Sequence, residues 1–152
     1  MTIEQDLLRD EGGLRLYPYD DATGQQLKPG DVLRGNITIG CGRNLSEQGL
    51  HRDEAQALLA YDIQQARSEL ARALPFWHRL SALRQVALIN MRFNLGLTQF
   101  RKFENMISAL AQGNYAGAGQ HALASTWHQQ VGKRAERIAW MLINDTEPPR
   151  NL

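Results

Sequence analysis

One cysteine, Cys41, stands in the whole chain, so an intramolecular disulfide is impossible and cysteine usage demands no oxidising compartment. In TIGCG it reads as a small buried residue rather than a reactive thiol. No apolar run approaches the ~20 residues of a membrane span, and Met1 to Glu11 lacks the apolar core of a signal peptide. The expectation is a chain made in the cytoplasm, without an export signal of its own and without stable membrane association. Blocks of like charge are missing too. With 17 basic and 16 acidic residues the formal net charge is +1, which gives no electrostatic case for nucleic acid. His51, His78, His121 and His128 lack metal-ligand spacing, so no metal is expected. A phosphate loop is excluded because GCG runs into Arg43 and Asn44 rather than into a strand-to-helix unit. There is no repeat, low-complexity run or linker.

What is present is enough for one core: at 152 residues a chain buries roughly 68 to 70% of its unfolded surface and needs no staple. The informative stretch runs from Glu11 to Gly42. Before it, Thr2 and Gln5 make a capping box, and Ile3, Leu7 and Leu8 share one face of a short helix that Gly12 and Gly13 stop. Glu11 therefore falls at a helix C-terminus, where the macrodipole disfavours a second negative charge; a carboxyl that keeps its proton suits a general acid. Leu14, Leu16 and Pro18 alternate with Arg15, Tyr17 and Tyr19 as in a short, partly buried strand, and Asp20 and Asp21 sit where it turns. DDATG, KPGD and RGN are turn signals, with Val32, Leu33, Ile37 and Ile39 as the β-type residues between them. A small, irregular antiparallel sheet of two or three strands is expected.

The remainder reads as helix. From Arg52 to Leu74 apolar residues recur at Ala55, Leu58, Leu59, Ile63, Ala66, Leu70 and Leu74, and Pro75 ends the pattern. Arg67, Glu69 and Arg72 read as its solvated face. Ser81 caps a helix to about Asn94 that stops at Gly96, with Leu83, Val86, Ala87, Ile89 and Phe93 as core candidates. Asn90 lies inside that apolar stripe and reads as a hydrogen-bonding hub; Asn94, nearer solvent, is the better candidate for a ligand contact. Two short helices follow, Phe103 to Gln112 and Tyr115 to Ala124, the second weakened by Gly117 and Gly119. Trp127 and Gln130 fall in a connecting segment, a last helix runs from Lys133 to about Ile143, and the tail DTEPPRNL reads as frayed. Trp127 reads as core.

The order of motifs resembles the phage-type lysozymes, the T-even phage lysozyme family of endolysins. Glu11 and Gly12 match its helix-end EG; Arg15, Leu16, Tyr19, Asp21 and Gly24 match RL-x-x-Y-x-D-x-x-G; Thr38, Ile39, Gly40 and Gly42 match TIG-x-G. The likeness continues through Arg43 to Leu45, Asn90 to Gly96, and Ser125, Trp127, Gln130, Arg134 and Ala135, and so covers nearly the whole chain. Two departures stand out. Gly12 and Gly13 are one glycine more than the usual pattern, so counting from Glu11 picks Asp20 as the second carboxylate, whereas Tyr19 and Gly24 pick Asp21, which is favoured. GQQLKPGDVLRGN lengthens the hairpin before Thr38.

The resemblance implies an α+β, mostly helical fold: residues 1–152 as a single catalytic domain, a sheet-bearing lobe over about 12–50, a helical lobe over about 75–145, the long helix joining them, and no separate wall-binding domain. It implies a peptidoglycan muramidase cutting the β-1,4 bond between N-acetylmuramic acid and N-acetylglucosamine, without cofactor, with inversion of the anomeric centre. Glu11 would be the acid, Asp21 would stabilise charge or orient water, and Thr38 would help hold that water; Asn94, Gln130 and Arg134 would bind substrate. A monomer in the host cytoplasm, released to the periplasm by a membrane-permeabilising phage partner, completes the expectation. The rival readings are a lytic transglycosylase, which needs the Glu but no water-activating Asp, and a wall-binding module that has lost turnover.

Overall fold

The computed structural model describes residues 2–152, and the chain divides into two compact units, Met1–Gln56 and Ala57–Leu152. The fold class is the α+β one expected: a small sheet near the N-terminus and helices after it.

In the first unit, helix α1 is Ile3–Asp10, and the capping box at Thr2 is formed in full, with the Gln5 amide donating to the Thr2 hydroxyl and the Thr2 amide to the Gln5 side chain. At its other end the Gly13 amide reaches Leu8 O at 2.6 Å and the Gly12 amide reaches Arg9 O at 3.4 Å, the double closure of a Schellman motif. Gly12, at φ 74°, takes the left-handed position this closure requires. The second glycine is thus absorbed into the helix cap. Strands β1 (Arg15–Asp20), β2 (Ile37–Gly40) and β3 (Arg43–Asn44) form an antiparallel sheet in the order β1-β2-β3. A turn of helix, α2 (Leu45–Gln48), follows, capped by Asn44.

Two sequence expectations fail here. Leu14 and Leu16 are exposed rather than partly buried, because the pairing of β1 with β2 slips between Arg15 and Tyr19 and breaks the two-residue alternation. Pro18, which has no amide to give, stands inside that irregularity. Val32 and Leu33 are exposed and belong to no strand. Instead, the lengthened segment doubles back along the other edge of β1: Leu27 N donates to Pro18 O, Asp20 N to Gln25 O, and Tyr19 bridges to Gln26. Lys28 to Asp31 then make a turn closed by Asp31 N to Lys28 O, with Pro29 and a positive-φ Gly30 in the two middle places.

Helix α3 is Arg52–Ala73. The second unit continues through a 3-10 turn, Trp77–Arg79, and then α4 (Ala82–Leu95), α5 (Leu97–Phe100), α6 (Glu104–Ala111), α7 (Tyr115–Leu123), α8 (Thr126–Val131) and α9 (Lys133–Asn144). Ser81 caps α4 as expected, accepting from the Arg84 amide, and Gly96 ends it at φ 74°. The buried side of α4 is Ala87, Leu88, Ile89 and Met91, whereas Val86 and Phe93 are exposed, a rotation of the stripe read from sequence. Of the α3 stripe, Ala66, Leu70 and the following Leu74 enter the core; Leu58 and Leu59 stay exposed. Glu69 is no solvated residue either, since it takes two hydrogen bonds from Arg92 of α4. Gly119 has a positive use: a Cβ there would come within 2.6 Å of Ile143 Cδ1 and 3.1 Å of Ala139 O, so the glycine lets α7 lie close against α9. Trp127 and Gln130 belong to α8 rather than to a connecting segment, because the Ser125 hydroxyl caps a helix there by accepting from His128 N. The tail is tied down: Trp140 Nε1 donates to Thr146 Oγ1 at 3.1 Å and Lys133 Nζ to Asn151 O at 3.1 Å.

Leu88 is fully buried among the core residues of this unit. Leu88→Ala is expected to lower unfolding stability by about 2 to 5 kcal/mol, measured by urea denaturation. A loss under about 1 kcal/mol would mean that the core packs on another face of α4.

Candidate functional site

Glu11 is the C-cap residue of α1, and its carboxyl group lies against the main chain of Gly42: a Cβ on Gly42 would sit 2.5 Å from Oε2 and 2.8 Å from Cδ. The last glycine of TIGCG thereby makes room for the acid. Gly42 also adopts φ 70°, so its position is glycine's on two counts. Cys41, between Gly40 and Gly42, is half-buried rather than buried.

Asp20 and Asp21 are adjacent in sequence and opposite in circumstance. Asp20 is buried, 3% exposed, and its carboxylate accepts three main-chain amides: Ala22 at 2.9 Å, Arg34 at 2.7 Å and Gly35 at 3.0 Å. These donors, that of Arg34 foremost, hold its carboxyl below the usual carboxylate range, against burial, which pushes it up. Asp21 is exposed and receives the Asn36 amide at 2.6 Å on Oδ1 and Asn36 Nδ2 at 3.1 Å on Oδ2. Gly35 again supplies the room, since a Cβ there would run into Asp21 Oδ1 and lie 2.8 Å from the Ala22 Cβ. Thr38 pairs with Tyr19 across β1 and β2. It is 4% exposed, and its hydroxyl has no hydrogen-bond partner among the described residues. An unsatisfied buried hydroxyl costs about 1 to 3 kcal/mol, and a group that carries that cost in a folded protein calls for an explanation such as function.

These observations bear on the choice between the two aspartates. The sheet's irregularity lies between Arg15 and Tyr19, so the count from Glu11 crosses a helix cap and a slip in register. Tyr19, by contrast, is paired directly with Thr38, and Asp21 N donates to Asn36 O just beyond that pair. Arg15 stiffens the same corner, its guanidinium 3.7 Å over the Tyr19 ring and Nη2 donating to Gly24 O. At the same corner, Asp20 and Thr23 together with Gln25, Gln26, Asp31 and Arg34 of the lengthened segment line a polar hollow of about 340 Å³.

The other three candidates lie in the second unit and do not form one cluster. Asn94 is exposed, and its Oδ1 accepts from Trp127 Nε1 at 2.8 Å. Trp127 itself is buried and edge-packed on Phe103. Gln130 is exposed and shares with Trp127, Phe103, Lys102 and His121 the lining of a hollow of about 650 Å³. Arg134 stands elsewhere, donating from Nε to Asn90 Oδ1 at 2.8 Å and from Nη2 to Asn90 O at 3.2 Å. Asn90 is the acceptor hub in that pair. Phe103, Lys102 and His121 were not singled out from sequence as site residues; nothing local distinguishes them from core and surface residues. Asn36 was visible only as part of a turn.

The sheet followed by helices, with an acid closing the first helix, defines a lysozyme-like α+β protein. The chain belongs to the phage lysozyme family, which it matches over residues 9–139. It is 26% identical over 160 residues to the pre-baseplate central spike protein Gp5 of Enterobacteria phage T4, covering 94% of this chain and 28% of that protein. It is 31% identical over 62 residues to the probable T4-type lysozyme 2 of Dictyostelium discoideum, covering 41% of this chain and 36% of that protein. The chain thus spans about a third of the length of these relatives.

Two outcomes are expected at this site. Gly42→Ala should cost about 1 to 2 kcal/mol for the left-handed backbone and displace the Glu11 carboxyl, visible as a changed carboxyl-carbon NMR signal. The Asp20 contribution has the sign of a lowered carboxylate: it is complete above the unfolded value of about 3.9 and is lost as pH falls through the folded value. The stability gap between the wild type and Asp20→Asn in urea should therefore be widest near neutrality and narrow in acid.

Proposed function

We propose that the chain is a peptidoglycan muramidase that hydrolyses the β-1,4 bond between N-acetylmuramic acid and N-acetylglucosamine. The observation that carries this reading is the buried Thr38 hydroxyl, without a partner among the described residues, in register beside the Asp21 turn and on the same unit as a helix-end Glu11 seated on Gly42. Family membership supports the substrate class. In the proposed reaction Glu11 gives its proton to the leaving O4 oxygen of N-acetylglucosamine as the C1–O4 bond breaks. A water held by Asp21 and Thr38 attacks C1 from the opposite face and passes its proton to Asp21. That single displacement turns the β linkage into an α product. Asn94, Gln130 and Arg134 are proposed to contact the glycan. No cofactor enters, because two carboxyl groups supply the proton transfers.

The proposed setting is that of an endolysin: a monomer accumulating in the host cytoplasm, passed to the periplasm by a membrane-permeabilising phage partner, and lysing the host. A second setting is favoured by one observation, that the relative aligned with 94% of this chain is a spike protein. There the same chemistry would open the wall from outside, and antibody detection of the chain in purified virions would separate the two.

Glu11→Gln is expected to lower turnover on purified sacculi by ~10²- to 10⁴-fold while binding to the wall persists. Retention of more than about a tenth of the wild-type rate would remove Glu11 as the acid. Product masses should carry one added water per cut; anhydro-sugar ends would mean a lytic transglycosylase. Proton NMR of the first products, taken before mutarotation, should show the α anomer.

A further inference from the structure

We propose that Asp20 is a positioning residue for this reaction, tying the lengthened hairpin back to the end of β1 and thereby fixing Asp21 and Thr38 relative to one another. The inference rests on the muramidase reading above and assigns Asp20 no contact with substrate. Its geometry is specific. Both carboxylate oxygens are committed to main-chain amides, Oδ1 to Ala22 and Gly35 and Oδ2 to Arg34, so two of the three donors lie 14 and 15 residues further along the chain. The main chain of Asp20 closes the near side as well: its oxygen accepts Thr23 N and Gly24 N, and its amide donates to Gln25 O.

The consequence passes along the backbone. Arg34 and Gly35 lead directly into Asn36, the residue that grips both oxygens of Asp21. Two residues on is Thr38, held opposite Tyr19. Pinning the Arg34 and Gly35 amides therefore sets where Asn36 stands and so which way the Asp21 carboxylate points. A long loop without such a tie would sample many positions for its far end, at an entropic cost paid again in each productive complex. Asp20 is suited to the role because it is buried and ionised. Its neighbour Asp21 has the exposure that a group acting on water needs. The two carboxylates that sequence counting sets against each other thus have different tasks.

The test uses the intact chain with soluble, uncross-linked glycan strands as substrate and amide hydrogen exchange by NMR as a second readout. In Asp20→Asn the amides of Ala22, Arg34 and Gly35 should exchange at least ~10-fold faster, with kcat lower by ~10- to 100-fold and KM changed by less than about threefold. Both limbs of the pH–rate profile should stay in place. Should this variant fail to fold, replacing Gly35 by glycolic acid removes one amide donor and leaves every side chain intact; kcat should fall by about two- to tenfold. Normal kcat in either variant would overturn the positioning role. So would loss of kcat with the three amides still protected, or a displaced pH limb, since either would make Asp20 a reacting group. An inactive wild type sinks the muramidase reading and this role with it, whereas an active wild type beside an unimpaired Asp20→Asn sinks this role alone.

Discussion

The first unit depends on a buried carboxylate surrounded by amides. A hairpin lengthened by turn-forming, polar residues has little apolar surface with which to hold itself in place: Val32 and Leu33 face solvent. What it has instead is one ionised side chain that accepts three main-chain donors, charge-assisted bonds stronger than the neutral ones of the sheet. Buried amides without partners would be costly, so the arrangement satisfies Ala22, Arg34 and Gly35 and the carboxylate at once. The return of Gln25 to Leu27 along β1 and the turn at Pro29 and Gly30 then follow from where the two ends are held.

The second unit is built on a different constraint, close packing around α4. Leu70 from α3, Leu88 and Met91 from α4, Phe100, Met106, and Ile138 and Leu142 from α9 are fully or almost fully buried. Polar ties fix the direction of these helices. Arg84 spans from α4 to the end of α9, donating to Leu142 O and to the Asp145 carboxylate, which Ser81 also reaches, and its guanidinium lies over Tyr115. Arg134 to Asn90 and Arg92 to Glu69 do the same for α9 on α4 and α4 on α3. Asp145 sits in the left-handed region at φ 54°, where its short polar side chain is better tolerated than most, and the Ser81 and Arg84 contacts hold it there. Each tie also satisfies a polar group that the helix packing would otherwise bury alone.

Much of this was legible in the chain. Helix ends are local chemistry, so Thr2 with Gln5, Ser81, and Gly96 could be read as caps and stops from a few neighbouring residues. A small antiparallel sheet could be read too, whereas the direct pairing of Tyr19 with Thr38 could not, because the lengthened hairpin lies between them in the chain. Misread were the faces. Whether α4 buries Val86 and Phe93 or Leu88 and Met91 depends on which helices arrive beside it, and a 3.6-residue period permits both when apolar residues are this dense.

By itself, then, the sequence determined the longer helices and their approximate limits, though not the short α8, the position of Glu11 at a helix end, and the presence of a small sheet after it in the chain, because caps, glycines and apolar periodicity act over a few residues. The tertiary structure alone decided that Asp20 is buried among amides while Asp21 is exposed, that Gly42 and Gly35 make room for two carboxyl groups, and that the Thr38 hydroxyl is buried without a partner among the described residues. Those outcomes turn on atoms brought together from 14 or more residues apart, and such distances are set by a folded backbone rather than by any local preference.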